Sequence, residues 1–214
     1  MLLPYFNTLR FDALLEKADI FLLGVSPTLW IGQWAHPLLT DMLYFFYLFY
    51  FPMPLIILIW MYRKGRFREV EQALLIYLIC YYGAYITYFL MPAEGPRFFL
   101  QGLYPSPLKG YFLAEPIRTL INTLEPNKLD AFPSLHAGIL AVTMYVSYRN
   151  NRKIFNWFVP AAVAITISLI YCRYHYFIDM LAGFLLAALA VVFGKALYYK
   201  VENKIINHFE GIQE

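Results

Sequence analysis

Five apolar runs, each close to the length of a membrane-crossing helix, constrain this chain more than any other feature: residues 42–62, 72–91, 132–148, 154–172 and 175–199. A helix needs about 20 residues to cross the ~30 Å hydrocarbon core, where backbone polar groups must be satisfied within the segment. The expected fold class is therefore all-α, a polytopic transmembrane helix bundle of about five spans. Hydrophobic residues make up 61% of the 214 and charged residues only 14%, too little polar surface for an ordinary water-soluble domain. A single domain over 1–214 is expected. Pro52, Pro54 and Pro160 fall inside the runs and should kink their helices rather than end them.

Basic residues gather in the short connections. Arg63, Lys64, Arg66 and Arg68 lie between the first two runs, Arg149, Arg152 and Lys153 between the third and fourth, and Lys195, Lys200 and Lys204 near the end. Short loops rich in Lys and Arg stay cytoplasmic. Five spans would then place residues 92–131 and the heads of the third and fifth runs on the opposite face, outside the cell or in a lumen. The net charge of +3 is explained by these anchors and gives no case for a nucleic-acid partner. Cys80 is expected at mid-membrane and Cys172 at the outer end of its run, roughly 15 Å apart in depth and beyond disulfide reach.

Residues 7–23 place Phe11, Leu14, Leu15, Ala18 and Leu22 on one helical stripe and Asp12, Glu16 and Asp19 opposite. The segment is too charged to span. Residues 1–38 therefore read as an interfacial N-terminal segment, whose amphipathic helix lies on the outer membrane surface or packs on the bundle. His36 and Asp41 read as solvated interfacial groups, and the Tyr and Phe crowd from 44 to 51 as lipid-facing belt and packing rather than a ligand box. The outer loop 92–131, with prolines at 92, 96, 105, 107, 116 and 126, is long enough to be functional. Within it, Glu115-Pro116 opens a helical pattern of Ile117, Leu120, Ile121 and Leu124.

Ionisable residues at the heads of apolar runs are costly, so their presence suggests work. His175 and Asp179 are four apart, a spacing that on a helix lets a carboxylate accept the imidazole N–H. The other ring nitrogen could then attack phosphorus, accept a proton or bind a metal. Pro133-Ser134-Leu135-His136 heads the third run, and a proline at the first helical position would leave the N–H groups of Ser134, Leu135 and His136 pointing at an anion. Arg97 and Arg173 supply donor forks suited to phosphate oxygens. Together they form a phosphoryl-transfer kit without a nucleotide loop.

These same residues carry a resemblance. Pro133-Ser134-Leu135-His136 resembles the second motif of the type 2 phosphatidic acid phosphatase superfamily, and His175-x-x-x-Asp179 the end of its third. The phrases at 130–138 and 171–183 resemble the branch that includes fungal-type inositol phosphorylceramide synthases and their bacterial relatives. The likeness covers roughly residues 92–183. The superfamily's third motif has its arginine six residues before the histidine, where this chain has Leu169. Its first motif has a lysine seven residues before the arginine, where this chain has Leu90.

The resemblance implies a cofactor-free lipid phosphatase or phosphotransferase. His175 would be the nucleophile, Asp179 its support and His136 the acid and base, while Arg97, Arg173 and the backbone at Ser134 would bind phosphate. The implied substrate is a membrane lipid phosphate, and the acceptor is water or an alcohol such as inositol. Two other readings stand beside it. Two histidines and an aspartate can form a metal triad. A small transporter is the non-enzymatic reading, though no internal repeat is visible.

Overall fold

The computed structural model describes residues 8–124 and 128–210, with side chains to 204. Asn7 and Pro126 lie outside the described residues. The described residues form ten helices: α1 Asp12–Leu23, α2 Pro27–Gly32, α3 Pro37–Phe49, α4 Pro52–Arg63, α5 Phe67–Leu90, α6 Pro96–Phe99, α7 Ala114–Leu124, α8 Leu135–Asn150, α9 Arg152–Tyr171 and α10 Phe177–Glu210. Four stretches are long and apolar enough to cross a membrane: Pro37–Arg63, Phe67–Leu90, Arg152–Tyr171 and Phe177–Lys204. The run at 132–148 becomes α8, whose 16 residues reach only about 24 Å.

That short helix is the axis of the molecule. It packs against α4, α5, α9 and α10. Ala137, Ile139, Leu140, Val142 and Val146 are buried on its several sides, as expected of a helix apolar all round. Its crossing with α10 is close because Gly183 has no side chain there. A methyl group on it would strike the Ser134 carbonyl oxygen and crowd the Gly138 nitrogen.

Prolines act differently in α9 and in the α3–α4 pair. Pro160 sits inside a continuous α9. Pro52 and Pro54 lack N–H groups, and the ladder between α3 and α4 is interrupted at Tyr50 and Phe51. Both keep helical dihedral angles there, so the chain kinks without reversing.

The two ends of the bundle differ in chemistry. At one end Arg66 donates from Nη1 to the Asn150 carbonyl at 3.1 Å and Arg68 pairs with Glu202. These contacts join the α4–α5 turn, the α8–α9 turn and the C-terminal part of α10. At the other end lie Arg97, His136 and His175.

The N-terminal helix turns its acids, not its apolar stripe, toward the bundle. In α1, Asp12, Glu16 and Asp19 are buried together with Leu15, while Leu14, Phe21 and Leu22 are exposed. The acids face the bundle because they accept backbone N–H groups there. Asp12 takes those of Glu94 and Gly95 at 3.0 and 2.8 Å, and Asp19 takes those of Phe177 and Ile178 at 2.7 and 2.8 Å. Asp41 is likewise buried rather than solvated. Its two oxygens accept the N–H groups of Tyr111, Phe112, Leu113 and Ala114 at 2.8–2.9 Å, which pins the start of α7 against α3.

Candidate active site

The end of α9 sets up the site. The Arg173 N–H bonds to the Ile170 carbonyl at 2.9 Å and that of Tyr174 to the Leu169 carbonyl at 3.2 Å. This is the pairing of a Schellman ending, in which the residue after the cap adopts left-handed backbone and is usually glycine. Here it is Arg173, at φ 66°. The His175 N–H also turns back to Leu169, at 3.1 Å. Two residues later α10 begins with its first N–H groups held by Asp19 and, at Tyr176, by Asp179 Oδ2 at 2.8 Å. His175 thus sits on a short non-helical link fixed at both ends.

Because His175 precedes the helix, the expected i,i+4 hydrogen bond to Asp179 does not form. Nδ1 lies 3.0 Å from the Ala131 carbonyl oxygen and 3.6 Å from Asp179 Oδ2. The carbonyl can only accept, so Nδ1 carries the proton and Nε2 the lone pair. Asp179 is fully buried behind the ring, too distant for a hydrogen bond but close enough to act on it electrostatically.

His136 stands in the first turn of α8. Ser134 caps that helix, its Oγ accepting the Ala137 N–H at 3.2 Å while its own N–H donates to the Asp179 carbonyl at 2.9 Å. Pro133 therefore lies before the cap, not at the first helical position, and the Ser134 N–H is already engaged. The His136 ring is boxed by Tyr47 and Tyr50 at centroid distances of 4.6 and 4.5 Å, with Phe51 at 6.0 Å. The kink between α3 and α4 delivers the last two. Its Nε2 is buried with no hydrogen-bond partner, and its ring lies 5.6 Å from that of His175.

Arg97 approaches from α6. Asp12 holds the preceding loop, and Gly95 turns it at φ 85° where any side chain would meet the Tyr174 carbonyl. The Arg97 guanidinium lies between the Phe98 and Tyr174 rings at 4.5 and 4.4 Å, donates from Nη1 to Asn122 at 2.9 Å, and keeps a buried Nε with no hydrogen-bond partner.

His136, His175 and Arg97 open on one cavity of about 240 Å³, walled also by Tyr81, Tyr85, Tyr88, Lys128 and Asp130. Burial holds the Asp130 carboxyl above the usual range, against the pull of His175 and Arg97. Of the residues expected from sequence, the fold brings these three together, with Asp179 behind His175 and Ser134 as the cap that sets His136. It does not bring Arg173 to that cavity. Its Nη2 donates to the Ser106 carbonyl at 2.7 Å and its guanidinium lies 3.6 Å from the Tyr104 ring centroid, in a neighbouring cavity. Among the described residues no three His, Cys, Asp or Glu side chains gather where they could hold a metal ion. Cys80 and Cys172 are buried free thiols.

Asp130 was not singled out from sequence as a site residue, and Tyr47 and Tyr50, read within the 44–51 crowd as belt and packing, were not singled out as ring partners of His136, against which they are buried. Asp130 could have been, since it is an acid immediately ahead of the Ala131–His136 stretch. The tyrosines could not, because rings facing a cavity and rings facing lipid share one helical pattern.

Comparisons with known proteins were made against this geometry. A family model described as the PAP2 superfamily matches residues 21–193. A PA-phosphatase related-family protein of Dictyostelium discoideum is 27% identical over 131 residues, 58% of this chain. The match spans only 24% of that relative's length. No solved structure matches the chain.

Proposed function

Since the chain belongs to the PAP2 superfamily, we propose that it is a membrane enzyme that transfers a phosphoryl group from a lipid phosphate through a phosphohistidine on His175. The observation that carries this reading is the pair of imidazoles 5.6 Å apart on one cavity wall with Arg97.

The His175 Nε2 lone pair forms a bond to phosphorus as the bond from phosphorus to the lipid oxygen breaks. Protonated His136 gives its proton to that departing oxygen and, now neutral, takes one from the incoming acceptor. The acceptor oxygen then attacks phosphorus and the N–P bond breaks, returning His175. Arg97 meets the phosphoryl oxygens with its donor fork, and the first turn of α8 adds its positive end. The Ala131 carbonyl and Asp179 offset the positive charge that develops on the His175 ring, as fixed dipoles and buried carboxyls do in a water-poor site. Arg173 acts outside this step.

Water as acceptor makes the protein a phosphatase, and an alcohol makes it a phosphotransferase. Purified protein incubated with labelled lipid phosphate, with and without inositol or glycerol, separates the two. Labelled inorganic phosphate alone indicates the first, and a labelled polyol phosphate the second. Neither product would refute the proposal.

A further inference from the structure

A second cavity of about 390 Å³ adjoins the histidine cavity, and Arg97 and Phe98 line both. Its other cations are Arg118 and Arg173, and no carboxylate is among its described lining residues. Arg118 has a carboxylate partner in Glu115, but among the described residues Arg97 and Arg173 form no ion pair, so the hollow keeps positive charge that an anion would offset. The walls hold Arg118 and Arg173 rigidly. Arg118 donates to the Tyr44 hydroxyl at 3.1 Å, to Glu115 and to the Leu108 carbonyl. Arg173 is only 8% exposed, bonded to Ser106 and packed on Tyr104, and its Nε is buried without a hydrogen-bond partner.

The backbone strengthens the case. Arg173 occupies the left-handed position of a helix ending that glycine fills at no steric cost. An arginine there gives up local stability, and what it gains is a buried guanidinium in the wall of this cavity.

We propose that the second cavity binds a second phosphoryl group, held by Arg173 and Arg118, while Arg97 bridges it to the phosphoryl group undergoing transfer. The inference rests on the phosphoryl-transfer reading above and extends it to a substrate class: the reacting complex carries two phosphates, not one. The second belongs either to the donor, as in a lipid diphosphate, or to a phosphorylated polyol acceptor. Both present the same chemistry to the arginines.

The test uses two non-hydrolysable probes, methylphosphonate and methylenebisphosphonate, and calorimetry on the full chain purified in detergent. The bisphosphonate should bind at least about tenfold more tightly, since it adds charge-assisted bonds from a second pair of guanidiniums. Arg118→Gln should bring the two affinities together. Arg173→Gly should do the same, and glycine suits that backbone position, so the variant keeps the fold. Equal affinities in the unaltered protein, or a preference that survives both substitutions, would overturn the second site while leaving the first intact. Binding of neither probe would overturn both. Faster turnover of a lipid diphosphate than of the monophosphate assigns the second phosphate to the donor. Transfer from a lipid monophosphate that is faster to a polyol phosphate than to the bare polyol assigns it to the acceptor. Indifference to both would sink the proposal.

Discussion

A carboxyl group in a cavity proposed to hold an anion opposes its ligand unless it keeps its proton, and the half-buried Asp130 is desolvated enough to keep it to higher pH than an exposed aspartate. The sign follows directly. Below its raised pKa Asp130 is neutral and can donate to a phosphate oxygen; above it the cavity gains a negative charge and holds phosphate less well. The same group weakens the fold as pH rises from the ordinary value of 3.8 through the raised one, because the folded state binds the proton more tightly. Inhibition by vanadate should therefore weaken as pH rises through that window. Asp130→Asn, neutral throughout, should lose this pH dependence, and an unchanged profile would show that Asp130 does not face the anion. At this scale the two histidines stood out because ionisable groups at the heads of apolar runs are costly, and Arg97 because a donor fork lay in the loop expected on the same face. Arg173 was harder to place. Its side-chain direction is set by a left-handed turn that closes on Leu169, and nothing in a sequence without glycine there announces such a turn.

Elements carry the arrangement through buried acids. Asp19 holds two backbone N–H groups at the start of α10, just after His175. Asp19→Ala should cost about 1–2 kcal/mol, as the loss of a helix cap does, with the unsatisfied N–H groups pushing toward the upper end. Thermal unfolding in detergent should show the lower Tm, and turnover should fall with it because the His175 link loses one clamp. Leu14→Ala, on the exposed side of the same helix, should change Tm little. A similar loss in both would mean the acidic face is not what docks α1. The existence of α1, and of α7 from Ala114, was readable from periodicity. The facing of α1 was not, because beside a membrane the exposed side of a helix is the apolar one and the usual reading of an amphipathic stripe reverses. Asp41 misled for the same reason, since its partners are the N–H groups of a loop seventy residues away in sequence.

At the scale of the whole molecule, the bundle keeps its basic turns at one end and its reactive side chains at the other, and α8 ties the two together. The apolar runs made the all-helical membrane architecture legible, whereas the shortness of α8 follows from a cap at Ser134 that the run itself does not mark. Five crossings would place the basic end in the cytoplasm. A cysteine at Gln101 should then react with an impermeant thiol reagent on intact cells, and one at Lys64 only after lysis; the native Cys80 and Cys172 are buried and give little background. The reverse pattern would move the chemistry to the other compartment. The most direct test of the central claim is a rapid acid-free quench of purified protein turning over a lipid labelled in its phosphate, followed by peptide mapping. The account predicts label on His175, stable in base and lost in acid, and none on a His175→Ala variant that still folds. Turnover without label on His175, or label retained by His175→Ala, would contradict it.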